Sequence, residues 1–117
     1  MKFNLEDRLI KFSVDVFAFT ETLPETKVNT HLVGQLIRSA SAPALIYAEA
    51  NAAESPADFI YKMGMALKEL KESNASLRMF EAKGGIKDTW TLERLIDESR
   101  QLILIFGASI NTARKKL

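Results

Sequence analysis

Glu69 and Glu72 stand three residues apart in the run Lys68-Glu69-Leu70-Lys71-Glu72. On a helix that spacing sets both carboxylates on one face, an arrangement that can hold magnesium for nucleotide hydrolysis if a second acidic pair faces it. Glu93 and Asp97, with Glu98 alongside, are the available residues, but they are spaced by four. Lys68 and Lys71 alternate with the glutamates, so an ion-paired, solvated face is the better reading and the hydrolase is the weakest of the functions considered. A di-iron bundle centre requires a Glu-x-x-His on each of two helices. His31 is the single histidine, placed at an expected helix start and expected to face solvent. With no cysteine, disulfides and thiolate metal sites are excluded. No catalytic residue, cofactor, metal ligand or small-molecule substrate is assigned, and the chain does not read as an enzyme.

Two other polar groups stand out. Arg38 and Glu49 flank Pro43 on one small-residue segment, and they are expected to form a buried ion pair or to cap backbone groups freed by the proline, since an unpaired buried charge is costly. Binding of a partner is the alternative role. Lys68, Lys71 and Arg78 can share one helical face, and Arg114, Lys115 and Lys116 cluster near residue 117. These six are the candidate nucleic-acid contacts, to RNA or DNA. Acidic residues are interspersed among them and no aromatic platform for base stacking is evident from the sequence.

The whole-chain balance is consistent with that restraint. Sixteen basic and fifteen acidic residues leave a net charge of +1, less than phosphate-binding proteins usually carry. Hydrophobic residues at 47% suffice for one core in 117 residues. The longest apolar run, Leu102 to Phe106, falls far short of a membrane span, and no apolar signal core opens the sequence. A soluble, cytoplasmic protein is the expectation.

The elements that must position these residues are helices throughout. Leu5, Leu9, Phe12, Val16, Phe19 and Leu23 recur at alternating spacings of four and three, and the same rhythm returns in three further segments. Asn4, Asn29 or Thr30, and Ser55 before Pro56 are the expected N-caps, and the last helix is expected to start at Asp88 or Thr89. Gly84-Gly85 is the expected stop of the third helix. Helices are thus expected at about residues 5–22, 30–54, 56–83 and 89–115, in a single domain spanning 1–117. Short connections make them an all-α, antiparallel up-down four-helix bundle, with the second helix kinked or briefly broken near Pro43. Ile10, Val14 and Phe17 on the first helix, and Leu104 and Ile105 on the last, widen the apolar faces beyond what a monomeric bundle covers. They are the candidate oligomer interface. Gly34, Gly64 and Gly107 lie inside helices, where close helix approach within or between subunits would explain them.

With those residues in view, the chain resembles a bacterial four-helix-bundle family named after proteins encoded in intervening sequences of large-subunit ribosomal RNA genes. The resemblance is carried by Gln35-Leu36-Ile37-Arg38-Ser39, Pro43-Ala44-Leu45, Tyr47, Glu49-Ala50, Ala53-Glu54-Ser55 and Asp58-Phe59-Ile60, followed by Lys62-Met63 and Leu67 to Glu72. Ile46 and Ala48 depart from the family pattern, which has Asn and often Gly there. The resemblance implies an up-down bundle, often a ring-shaped homopentamer, with no established enzymatic activity. It also implies kinship with the accessory protein of diversity-generating retroelements, which binds nucleic acid. Two functions follow as expectations: an oligomeric, homopentameric scaffold or interaction protein first, and a nucleic-acid accessory protein with basic patches repeated around the oligomer second.

Overall fold

The structure, a computed structural model, describes residues 4–117. Four helices follow one another: α1 (Leu5–Glu21), α2 (Lys27–Asn51), α3 (Pro56–Lys83) and α4 (Thr89–Lys115). Neighbours in sequence pack side by side, α2 on α3 most extensively, and α1 closes the bundle loosely against α4. No strand occurs among the described residues.

Each helix starts on a side chain that takes up an otherwise orphaned backbone donor. Asn4 accepts from the Asp7 N–H at 2.8 Å, Ser55 from Asp58 at 3.1 Å, and Asp88 from Thr91 at 3.0 Å. α3 ends where Gly84 and Gly85 take positive φ angles of 78° and 80°, which a side chain would disfavour. The second helix begins at Lys27, three residues ahead of the expected start, because Thr26 is its cap and accepts from the Asn29 N–H. Asn29 itself is buried, and its side-chain amide donates to the Pro24 carbonyl at 3.0 Å. The same helix stops at Asn51, because Ser55 must be extended (φ −147°, ψ 157°) ahead of Pro56.

The alternating four-three positions fill the core. Phe12, Phe80 and Phe106 are the largest wholly buried side chains, among Leu9, Val16, Leu36, Met63, Leu70, Leu77, Leu92 and Leu102. Phe19 meets Phe80 edge-on with centroids 6.2 Å apart, and Tyr47 meets Phe106 likewise at 5.9 Å. Small polar residues interrupt this oil at mid-height and pin the register of the rods. Ser39 and Ser73 meet at 3.1 Å between α2 and α3, and Asn74 donates to Ser99 at 2.9 Å between α3 and α4. α2 runs through Pro43 without a break. Pro43 leaves the Ser39 carbonyl without its helical donor; one residue on, the Ala40 carbonyl takes the Ser13 hydroxyl of α1 at 2.7 Å.

Candidate functional site

Arg38 and Glu49 do not pair with each other. Eleven residues apart, they fall on the same edge of α2 but about 16 Å apart along its axis, and each reaches across to α3 instead. Arg38 donates to Glu72 at 2.6 Å and to both Glu69 oxygens at 3.4 Å, while Lys62 donates to Glu49 at 3.1 Å. Both residues are exposed, so the expected buried pair becomes two surface bridges that tie α2 to α3. Hydrogen bonding to Glu72 raises the Arg38 pKa, and hydrogen bonding to Glu49 raises that of Lys62. Glu69 is the more deeply seated of the two acids. Burial, and then the Glu72 charge, push its carboxyl above the ordinary range against the opposing pull of Arg38.

These contacts bear on the magnesium arrangement. Glu69 and Glu72 face α2 and hold Arg38, whereas Glu93 and Asp97 line the seam between α1 and α4. The two acidic pairs therefore point to different neighbours, and no metal-competent group of three or more His, Cys, Asp or Glu forms among the described residues. His31 is exposed in the second turn of α2, past the helix start.

The candidate interface residues separate into two places. Ile10 and Val14 are about half exposed, at 47% and 53%, and Phe17 is half-buried beside them. The Ser13–Ala40 bond fixes the antiparallel register of α1 and α2, which brings these three level with α2 residues from Ile37 to Leu45 to within a turn. The outward arc of α2 there reads Gly34, Ile37, Ser41, Leu45 and Ala48, with no charge, and Leu45 is 67% exposed. Leu104, the most exposed large apolar side chain among the described residues, and half-buried Ile105 lie on α4, apart from this strip. Ile46 packs against the core and Ala48 lies in the open arc. A Cβ built on Gly34, Gly64 or Gly107 would meet no atom within 4 Å, so close approach inside the chain does not account for these glycines.

The basic candidates are all exposed, and none makes an ion pair among the described residues. Lys68, Lys71 and Arg78 do share the outward arc of α3, as the spacing implies. The apolar residues that flank them on this arc were not singled out from the sequence. Tyr61, 65% exposed, stands two turns before Lys68, and Met65 and Met79 are exposed on the same arc. Its one acid, Glu72, is turned to Arg38. The heptad offset of seven between Tyr61 and Lys68 could have revealed this neighbour. Arg114, Lys115 and Lys116 lie apart from it, at the end of α4.

Residues 2–105 match the family model described as 23S rRNA-intervening sequence protein. The chain belongs to that family. Among solved structures, the 23S rRNA-intervening sequence fold seen here is similar to the crystal structure of a protein with unknown function from the S23 ribosomal protein family of Bacteroides thetaiotaomicron. The two share 24% identity over 92% of this chain and 98% of the other, with a TM-score of 0.80, a likeness of fold. No curated protein matches this 23S rRNA-intervening sequence family member in sequence. No helix among the described residues is long and apolar enough to cross a membrane.

Proposed function

We propose that this protein is a non-enzymatic, cytoplasmic assembly module whose outer face of α1 and α2 packs against a different face of the next copy, into the ring of five that the family resemblance implies. The observation that carries this reading is the uncharged strip of Ile10, Val14 and Phe17 beside Ile37, Ser41, Leu45 and Gly34. Contiguous exposed apolar surface on a chain with a complete core marks a surface for association. A glycine inside a helix costs about 1 kcal/mol relative to alanine, and Gly34 gains no packing inside its own chain in return. A second helix approaching closely would supply that return. Native mass spectrometry of the wild type and of a Val14→Asp/Ile37→Asp variant tests it. An oligomer for the first and a monomer for the second are expected; a monomeric wild type at micromolar concentration rejects the reading.

A second reading, nucleic-acid binding, draws on the α3 arc, where Tyr61 stands in line with Lys68, Lys71 and Arg78. Cations for phosphates and an aromatic ring for bases are the combination that single strands use, and an oligomer would repeat it. Gel-shift titration of a single-stranded oligonucleotide at two salt concentrations is the check. Binding that weakens with salt and with Tyr61→Ala supports this reading; no shift at low salt dismisses it. Magnesium-dependent nucleotide hydrolysis finds no support in the divergent acidic pairs, and turnover in a nucleotide panel would be needed to revive it.

A further inference from the structure

We infer that the cleft between α1 and α4 receives the basic segment Arg114–Leu117 of a second copy of this chain. This head-to-tail contact rests on the self-assembly reading and adds to it a second surface with its own chemistry. The cleft has a volume of about 820 Å³, inside the roughly 300–1,000 Å³ range of sites that bury a ligand. Buried Phe12, Phe19 and Leu95 form its floor, and exposed Trp90 stands at its rim.

Its charge is lopsided. Asp15, Asp88, Glu93, Asp97 and Glu98 line it against Arg8, Lys11 and Arg94. Two of those cations are already engaged: Arg8 grips Glu98 through two bonds of 2.7 and 2.8 Å, and Lys11 holds Asp15 at 2.6 Å. The third, Arg94, lies over the Trp90 ring at 4.6 Å and holds no carboxylate among the described residues. Asp88, Glu93 and Asp97 are left without a cationic partner among the described residues.

The complement to this cleft lies on the same helix. Arg114, Lys115 and Lys116 are exposed and outside every ion pair among the described residues, and Leu117 after them is 72% exposed. Three cations followed by an apolar side chain match an acidic rim above an apolar floor. The segment cannot reach its own cleft: Arg114 lies thirteen residues beyond Gln101 on one continuous helix, about 20 Å further along a rigid rod. The occupant must come from another copy. Such a contact joins two different surfaces, so it closes into a ring or runs on as an array, as a contact between like surfaces does not. Exposed charges of this kind set register and choice of partner more than affinity, leaving the α1–α2 strip to supply most of the attraction.

Charge exchange tests the contact. Glu93→Lys/Asp97→Lys and Lys115→Glu/Lys116→Glu are each expected to weaken self-association at low salt about tenfold or more in sedimentation equilibrium, with unchanged helical circular dichroism. The chain carrying all four substitutions is expected to recover it. If either pair leaves association at the wild-type level, or the fourfold variant fails to recover, the head-to-tail contact is wrong. Failure of the self-assembly reading looks different: the wild type is then itself a monomer.

Discussion

Ser39 and Ser73 meet at 3.1 Å across α2 and α3 with no bulk between the rods, whereas α1 and α4 face each other across a cleft bridged by Arg8 and Glu98. On the first seam small side chains let two backbones approach, and ion pairs on the outer edge staple them at two heights. On the second, charged side chains occupy the gap, and Phe12, Phe19 and Leu95 remain at its floor. The contrast teaches where the molecule has room. The α2–α3 seam is consumed by holding the fold together, so surfaces for partners must come from the outer arcs and from the open α1–α4 side.

The comparison breaks most visibly under one kind of substitution made in both places. Ser73→Leu adds bulk where none fits and is expected to cost about 2–3 kcal/mol, roughly 10 °C in melting temperature. Ala18→Leu, on the exposed lining of the cleft, is expected to change stability by less than about 0.5 kcal/mol. Equal losses in thermal melts would erase the distinction between the seams. Gly34→Ala sharpens it at the outer face: the isolated chain should gain up to about 1 kcal/mol from helix propensity while its self-association weakens. Concentration-dependent melting separates the two effects.

Smaller effects distinguish the bridges. Arg8→Ala removes a bidentate, half-buried pair and is expected to cost about 0.5–1 kcal/mol. Arg38→Ala removes a more exposed cation and should lower the melting temperature less, with an unchanged temperature counting against its role as a staple. The smallest effect concerns Glu69, whose folded pKa is raised by burial and by Glu72. A raised carboxyl favours folding while protonated. That contribution is lost as pH rises through the ordinary glutamate range toward the folded value, leaving a net cost at neutral pH. Glu69→Gln is therefore expected to raise the melting temperature slightly at pH 7 and to equal the wild type below about pH 4. A lower temperature at pH 7 would mean that the Arg38 contact outweighs burial.

Helix number, type and core positions were legible because a four-three rhythm leaves few choices: Leu9, Phe12, Val16 and Phe19 could not all be covered except by neighbouring rods. Capping chemistry located the starts of α1 and α3 for the same local reason. The start of α2 was misplaced because Thr26, Asn29 and Thr30 are all competent caps, and only the burial of Asn29 under Pro24 decides among them. Partners across helices were not legible. Eleven residues of one helix already keep Arg38 and Glu49 about 16 Å apart, but that Arg38 meets Glu72 depends on the register between α2 and α3, which is set by contacts such as Ser39–Ser73. Tyr61 escaped notice for a similar reason, since a tyrosine beside a core Phe59 and Ile60 reads as apolar filling until the outward arc of α3 is known.

Native mass spectrometry of the full chain at micromolar concentration and low ionic strength tests self-association through the uncharged strip most directly. The account predicts a single closed species, five copies in mass, that falls to one copy when Val14→Asp and Ile37→Asp are introduced together. A wild-type spectrum containing one copy alone, or an oligomer indifferent to those two substitutions, would contradict it.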